Sequence, residues 1–326
     1  MEVAKSLNRF VKKRIKDPVS VFPGLGQYVG YGSGDLGADF FGGITMFFTM
    51  IPQALAYAKL AGMPPVYGIY AATFPLYIYA LFGTSRHLVF GPYAVTSFMM
   101  GTIALRYPFE PDSQEYIQLV LYISLMSGVM FMVIWMANLG RLMTFITPNV
   151  TSGFISGSAF LVAMNQVPNL LGYKIPHLPW THEVIIAIFE HMPKSTGIAV
   201  AFSIPTSLFL YACSRHKKQR KPPVGPGPHS AYDAMTYFLN LSLFIAFVLG
   251  TFFSYLVTEH SKEDRLLIVG TVPRGFQPSQ FDISGIPHDF LLSAIPKALT
   301  LTVVASMSNL AVAKKFGERL KYKIHR

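Results

Sequence analysis

Charge is what this chain has least of. Only 13% of its 326 residues are Asp, Glu, Lys or Arg, against about 25% in a soluble domain, and that deficit excludes an ordinary water-soluble enzyme. Cysteine is almost missing as well. A single Cys213 leaves no internal disulfide and no cysteine-based metal cluster. Nor is there a nucleophile–base pairing or a glycine-rich phosphate loop, and the nine histidines sit in loops and span ends without ligand spacing. Neither catalytic residues, nor a metal, nor a cofactor is expected. What the chain does hold is apolar: 52% hydrophobic residues, with 27 Phe, 17 Tyr and 15 Met, the make-up of lipid-facing and interfacial surfaces.

A membrane span needs ~20 mostly apolar residues. Candidates are Gly37–Leu60, Pro65–Phe82, Tyr116–Leu139, Val150–Leu171, Thr196–Cys213, Ala234–Val257 and Phe290–Ala313. An eighth stretch, Gly91–Leu105, is too short to cross alone. The expected class is therefore an all-α, multi-pass membrane protein of eight elements. No lysine or arginine is expected in the middle of a span.

The net charge of +11 could suggest nucleic acid, but its distribution argues for topology. With the N-terminus inside, the cytoplasmic segments collect most of the 27 basic residues: the cluster from Lys5 to Lys16, Arg86, Arg141, the run from Arg215 to Lys221, and the tail from Lys314 to Arg326. Acids such as Glu110, Asp112, Glu183, Glu259 and Asp282 fall on the other side. Both termini are then cytoplasmic, no nucleic-acid partner is expected, and the short eighth stretch must cross to keep the order. Residues 1–36 lack a signal peptide's apolar core and cleavage site. A mitochondrial presequence is the alternative to an amphipathic cytoplasmic segment, and Glu2 and Asp17 weigh against it. The segment PWTHEVIIAIFEHM (179–192) has helical spacing with charged ends and suits the membrane interface.

The stretch LFGTSRHLVFGPYAV (81–95) breaks the apolar pattern. Irregular backbone at membrane depth is tolerated where protein or water surrounds it. One reading is a short strand over HLVF, ~17 Å from Arg86 to Gly91, followed by a half-helix from Pro92 to Arg106 that rises ~21 Å. Such a helix presents free N–H groups of Tyr93, Ala94 and Val95 and a partial positive charge near the midplane, a geometry suited to anions. The other reading is a Gly-Pro kink between ordinary spans, with Arg86 anchoring a turn. Chemistry alone weighs the two equally.

The run IPQALAYAKLAGMPPVYGIYAATFPLYIYALFGTSRHLVFGPYAV (51–95) closely resembles the signature region of the SulP family, also called solute-carrier family 26, of sulfate and anion transporters. TSGFISGSAFLVAMNQVPNLLG (151–172), IVGTVPRGFQPSQ (268–280) and VASMSNLAVAKKFGERLKYKI (304–324) are similar too. The resemblance implies a 7+7 inverted-repeat fold, followed in the family by a STAS-type cytoplasmic domain. It makes residues 37–315 elements 1–8, Gly91–Leu105 the half-helix of element 3, and 316–326 a basic cytoplasmic tail. LAYAKLAG (55–62) matches LAVAKKFG (310–317) at five of eight positions, a trace of the repeat that pairs Lys59 with Lys314 and Gln53 with Ser308.

The same resemblance implies an anion site. Gln53 and Tyr57 match positions on element 1 that face the anion, and Tyr93 matches the aromatic after Gly-Pro. Ala94 and Val95 would donate backbone N–H groups, Thr96 and Ser97 would add hydroxyls, and Ser308 would lie opposite. Read without the family, Tyr57 and Tyr93 are packing aromatics and Gln53 is an interhelical hydrogen-bonding residue.

Two departures qualify the carry-over. Many proton-coupled members carry an acid where this chain has Ser308, and Asp39 and Asp289 sit at span ends. Proton symport is therefore disfavoured against exchange or uncoupled conduction. Elements 9–14 and the STAS domain are absent from these 326 residues. The expectation is secondary transport of inorganic anions (sulfate, with chloride, bicarbonate or oxalate exchange) at the plasma membrane. The alternative is a truncated, non-transporting membrane protein that associates with and modulates full-length relatives; as partners, a homo-oligomer or such relatives are expected. A nucleobase carrier would need midplane carboxylates, and a seven-span receptor an outside N-terminus.

Overall fold

The computed structural model describes residues 31–83, 88–137, 148–173, 181–219, 230–260 and 285–320, with single positions at 22, 24, 175, 272–273, 275 and 282. Most of the N-terminal basic segment, Arg86 and His87, Arg141, the connector at 220–229 and the side chains of 310–320 lie outside the described residues. All regular structure among those described is helical.

Helix α1 (Ser33–Leu60) opens at Gly32, whose N–H donates to the Asp35 carboxylate at 3.0 Å. An acid in the first turn also complements the positive end of the helix dipole. The helix closes through Gly62, whose φ of 71° is a left-handed conformation suited to glycine. Pro64 and Pro65 then start α2 (Pro65–Phe82) where a proline's missing N–H is harmless. The two helices form an antiparallel pair that touches at Gly68, which lies against the Ala54 carbonyl and the Ala58 methyl.

After α3 (Ala94–Ala104) come α4 (Gln114–Met136), α5 (Pro148–Leu171), the short α6 (Thr181–His191), α7 (Gly197–Gln219), α8 (Ser230–Asn240), α9 (Ser242–His260) and α10 (His288–Leu320). The core lies where α4 and α10 run side by side. Tyr116, Leu119 and Ile123 on α4 meet Ala294, Ala298 and Leu301 on α10, with Ala58, Met100 and Ala104 closing the cluster from α1 and α3. Hydroxyls join the same seam: Ser127 donates to the Ala298 carbonyl at 3.2 Å, and Thr302 to the same carbonyl at 2.8 Å. Alanines and hydroxyls at this interface let the two backbones approach closely, as membrane helix pairs do. On the far side α7 packs on α5 and α9, and α9 returns to α1 through the Phe48 and Phe244 rings, 4.2 Å apart.

Among the described residues, five helices are long and apolar enough to cross a membrane: Asp35–Leu60, Pro65–Phe82, Gln114–Ile134, Gly197–Gln219 and His288–Asn309. Ala94–Ala104 and Ser242–Val257 are shorter apolar helices. The expected interfacial segment forms α6, which buries Val184, Ala187 and Ile188 at helical spacing.

Several expectations are corrected. The single span over Ala234–Val257 is two helices with a break at Leu241, where the Ser242 hydroxyl donates back to the Leu239 carbonyl at 2.9 Å. Such local side-chain bonds compete with the helical ladder. No strand precedes the half-helix among the described residues. Residues 88–90 have no regular structure, and Phe90 stacks on Tyr79 of α2 with centroids 5.5 Å apart. The half-helix itself starts at Ala94 and not at Pro92, because Tyr93 keeps an extended backbone (φ −129°, ψ 136°). Finally, Lys297 lies within the span His288–Asn309, so α10 does carry a cation inside a span.

Candidate functional site

The N-terminus of α3 is open. Its first intrahelical bond runs from the Ser97 N–H to the Tyr93 carbonyl at 2.9 Å, so the N–H groups of Ala94, Val95 and Thr96 precede any helical acceptor. No side chain caps them. The Thr96 hydroxyl turns back on the Tyr93 carbonyl at 3.0 Å, a bond that spends its proton and leaves the N–H groups clear.

Gly101 fixes the height of this helix end. A methyl group there would meet the Leu60 carbonyl oxygen at 2.6 Å, so α3 lies directly against the last turn of α1. Alanine at 104 and methionine at 100 continue that contact into the core.

A cavity of about 790 Å³ opens at this point. Tyr57 of α1 and Tyr67, Tyr70 and Phe74 of α2 form one wall. Tyr93, Thr96 and Ser97 form the α3 side, Ser124, Ser127 and Phe131 the α4 side, and Leu301, Ala305, Ser308 and Asn309 the α10 side. Among the described residues its lining contains no Asp, Glu, Lys or Arg. In so apolar a chamber the few oriented dipoles act with little dielectric damping.

Tyr57, Tyr93, Thr96, Ser97 and Ser308 therefore share one chamber. Gln53 stands apart: it is exposed on α1, one turn before Tyr57, and does not line the cavity. The Ala94 and Val95 side chains are not in the lining either, and Val95 is buried in packing. What they bring to the chamber edge is backbone. Ser308, only 4% exposed, donates to the Val304 carbonyl at 3.0 Å. Its hydroxyl would have to turn to meet an anion.

Residues the sequence reading missed are Tyr67, Tyr70 and Phe74 of α2, Ser124, Ser127 and Phe131 of α4, and Asn309 of α10. The pair Ser124 and Ser127, followed by Gly128, was the available signal: small polar residues at helical spacing inside an otherwise apolar span.

Residues 36–326 match the sequence model of the Sulfate permease family. Sulfate transporter 4.1, chloroplastic, of Arabidopsis thaliana is 27% identical over 286 residues, which are 88% of this chain and 39% of that protein. Sulfate permease 1 of Saccharomyces cerevisiae is 27% identical over 324 residues, 94% of this chain and 37% of that protein. The chain thus spans well under half the length of these relatives. Among solved structures, one of SLC26A9 superposes with a TM-score of 0.73 at 21% identity, covering 93% of this chain and 47% of that one. The murine Solute Carrier 26 family member A9 anion transporter in its inward-facing state gives 0.69 at 20% identity, with 93% and 50% covered. These likenesses show the shared fold.

Proposed function

The chain belongs to the sulfate permease family, and we propose that it carries small inorganic anions across a membrane, holding the anion at the N-terminus of α3. One observation carries the reading: the uncapped N–H groups of α3 meet a cavity that Tyr57, Tyr93, Thr96, Ser97 and Ser308 wall together. An anion entering an apolar chamber must find donors to replace water. The helix end offers several at once, with the positive end of the dipole behind them.

Sulfate is the first candidate substrate, and chloride, bicarbonate and oxalate are further ones. Exchange of one anion for another suits the site better than proton symport, since no carboxylate lines the cavity among the described residues. We place residues 37–315 in the bilayer as elements 1–8, with residues 1–36 and 316–326 on the cytoplasmic face of the plasma membrane. Gln53 is then a residue of the route into the chamber, and Ala94 and Val95 act through their backbone.

The test is flux. Proteoliposomes containing the chain and loaded with chloride should take up labelled sulfate. Ala94→Pro removes one donor while fitting the first helical position, and the extended Tyr93 suits a residue before proline. Uptake should fall about tenfold, the value of one hydrogen bond to a charge. No uptake by the unaltered chain, or uptake that Ala94→Pro leaves unchanged, overturns the reading.

A further inference from the structure

Among the described residues the anion chamber is lined by no cation, yet α10 carries one outside it. Lys297 lies inside the span His288–Asn309 and is half-buried. Its Nζ sits 4.0 Å from the centre of the Tyr107 ring, within the range of a cation–π contact. Among the described residues no carboxylate pairs with it. A charge this deep in a membrane helix is costly and marks a pathway more often than a packing site.

Tyr107 is fixed in place for this contact. It is only 6% exposed, its hydroxyl lies 2.9 Å from Ser293 Oγ, and Phe290 packs edge-on against its ring at 5.5 Å. Ser293 is one turn before Lys297 on α10, so the helix grips the tyrosine at its hydroxyl and covers its face with the ammonium. A lysine serving only to reach the headgroups would extend towards water. This one folds onto a buried ring, and an ammonium resting on a ring face keeps N–H donors on its other side.

Position gives the contact its meaning. At ~100° per residue, Lys297, Leu301, Ala305 and Ser308 fall within about 80° of one another around α10. The last three line the chamber. Lys297 lies on the same face but outside the chamber, about 6 Å beyond Leu301 and ~16 Å from Ser308, at the level where Ala104, Tyr107 and Ala298 pack in the core. Tyr107 follows the C-terminal end of α3, the end whose carbonyls repel anions. An anion approaching the chamber from that side meets an unfavourable field that Lys297 offsets.

We infer that Lys297, held on Tyr107, is a second anion station outside the chamber, which draws an inorganic oxyanion to the α3 C-terminal side of the packed core before it passes to the α3 N-terminus. The inference rests on the anion reading above but concerns a separate place.

The test uses the chain in nanodiscs, where both faces are open, treated with a water-soluble amine-acetylating reagent and read peptide by peptide in a mass spectrometer. Sulfate should slow acetylation of Lys297 several-fold relative to gluconate at equal ionic strength, and should leave the exposed Lys194 unaffected. Ala94→Pro should keep that protection, since it alters only the other station. In flux, Lys297→Gln should raise the half-saturating sulfate concentration roughly twofold to fivefold, as loss of one partly screened charge would, and Lys297→Arg should retain the original value. Equal acetylation in sulfate and gluconate, or unchanged half-saturation in Lys297→Gln, overturns the station while uptake by the unaltered chain still supports the chamber. Protection of Lys297 without uptake supports the station and removes the transport reading.

Discussion

The Tyr116 hydroxyl donates to the carbonyl oxygen of Ala61 at 2.8 Å, and the tyrosine is 0% exposed. Ala61 closes α1 and Tyr116 begins α4, so one bond ties the end of the helix bearing Tyr57 to the helix bearing Ser124 and Ser127. The carbonyl it satisfies is one that a helix C-terminus leaves without an intrahelical partner. The nearby Asp112 N–H reinforces the junction through the Gly62 carbonyl at 3.2 Å.

Tyr116→Phe keeps the ring and removes the bond. It should lower stability by about 1–3 kcal/mol, the range for a buried acceptor left unsatisfied. Thermal unfolding in detergent is the measurement, and a melting temperature equal to that of the unaltered chain would show that water replaces the tyrosine.

Gly68 tests the close approach of α1 and α2. A Cβ there runs into the Ala54 carbonyl oxygen and lies 3.0 Å from the Ala58 methyl. Both partners belong to α1, and backbone cannot swing aside as a flexible side chain can. Gly68→Ala should cost about 1–3 kcal/mol through overpacking and should widen the Tyr57 side of the cavity. Gly157→Ala in α5 is the control, because nothing lies within 4 Å of its added methyl. Equal yields of folded protein from the two variants would show that the helix pair has slack at this point.

How much of this was legible in the sequence depends on how each feature is written there. The apolar runs of α1, α2 and α4 fixed those helices to within a few residues, since length and hydropathy are local. The break at Leu241 lies within a continuous apolar run, and a one-residue interruption leaves no trace in a hydropathy average. Gly91-Pro92 marked the half-helix but misplaced its start by two residues, because the preference of proline for a first helical position yields here to the extended Tyr93. Lys297 escaped for the same reason as Leu241: one charge among Leu, Ala, Ile and Thr is averaged away. The family resemblance brought Tyr57, Tyr93, Thr96, Ser97 and Ser308 together, and they do share a cavity. The α2 and α4 walls come from segments distant in sequence, and only packing shows that they face the same space.

Ser308 offers the sharpest test of how the site treats charge. It borders the chamber, nearly buried, beside Asn309. Glutamate at 308 would carry its carboxyl into an apolar space, where an unpaired charge is costly. Ionised, the carboxylate repels the anion; protonated, the group is neutral and can donate a hydrogen bond. Sulfate uptake by Ser308→Glu should therefore increase as pH falls, by up to about tenfold per unit while the side chain is mostly ionised. Uptake by the unaltered chain, whose described lining holds no carboxylate, should change far less over the same range. A flat profile in Ser308→Glu would mean that the introduced carboxyl does not share the space the anion occupies, and Ser308 would then be a packing residue of α10 whose hydroxyl serves only the Val304 carbonyl.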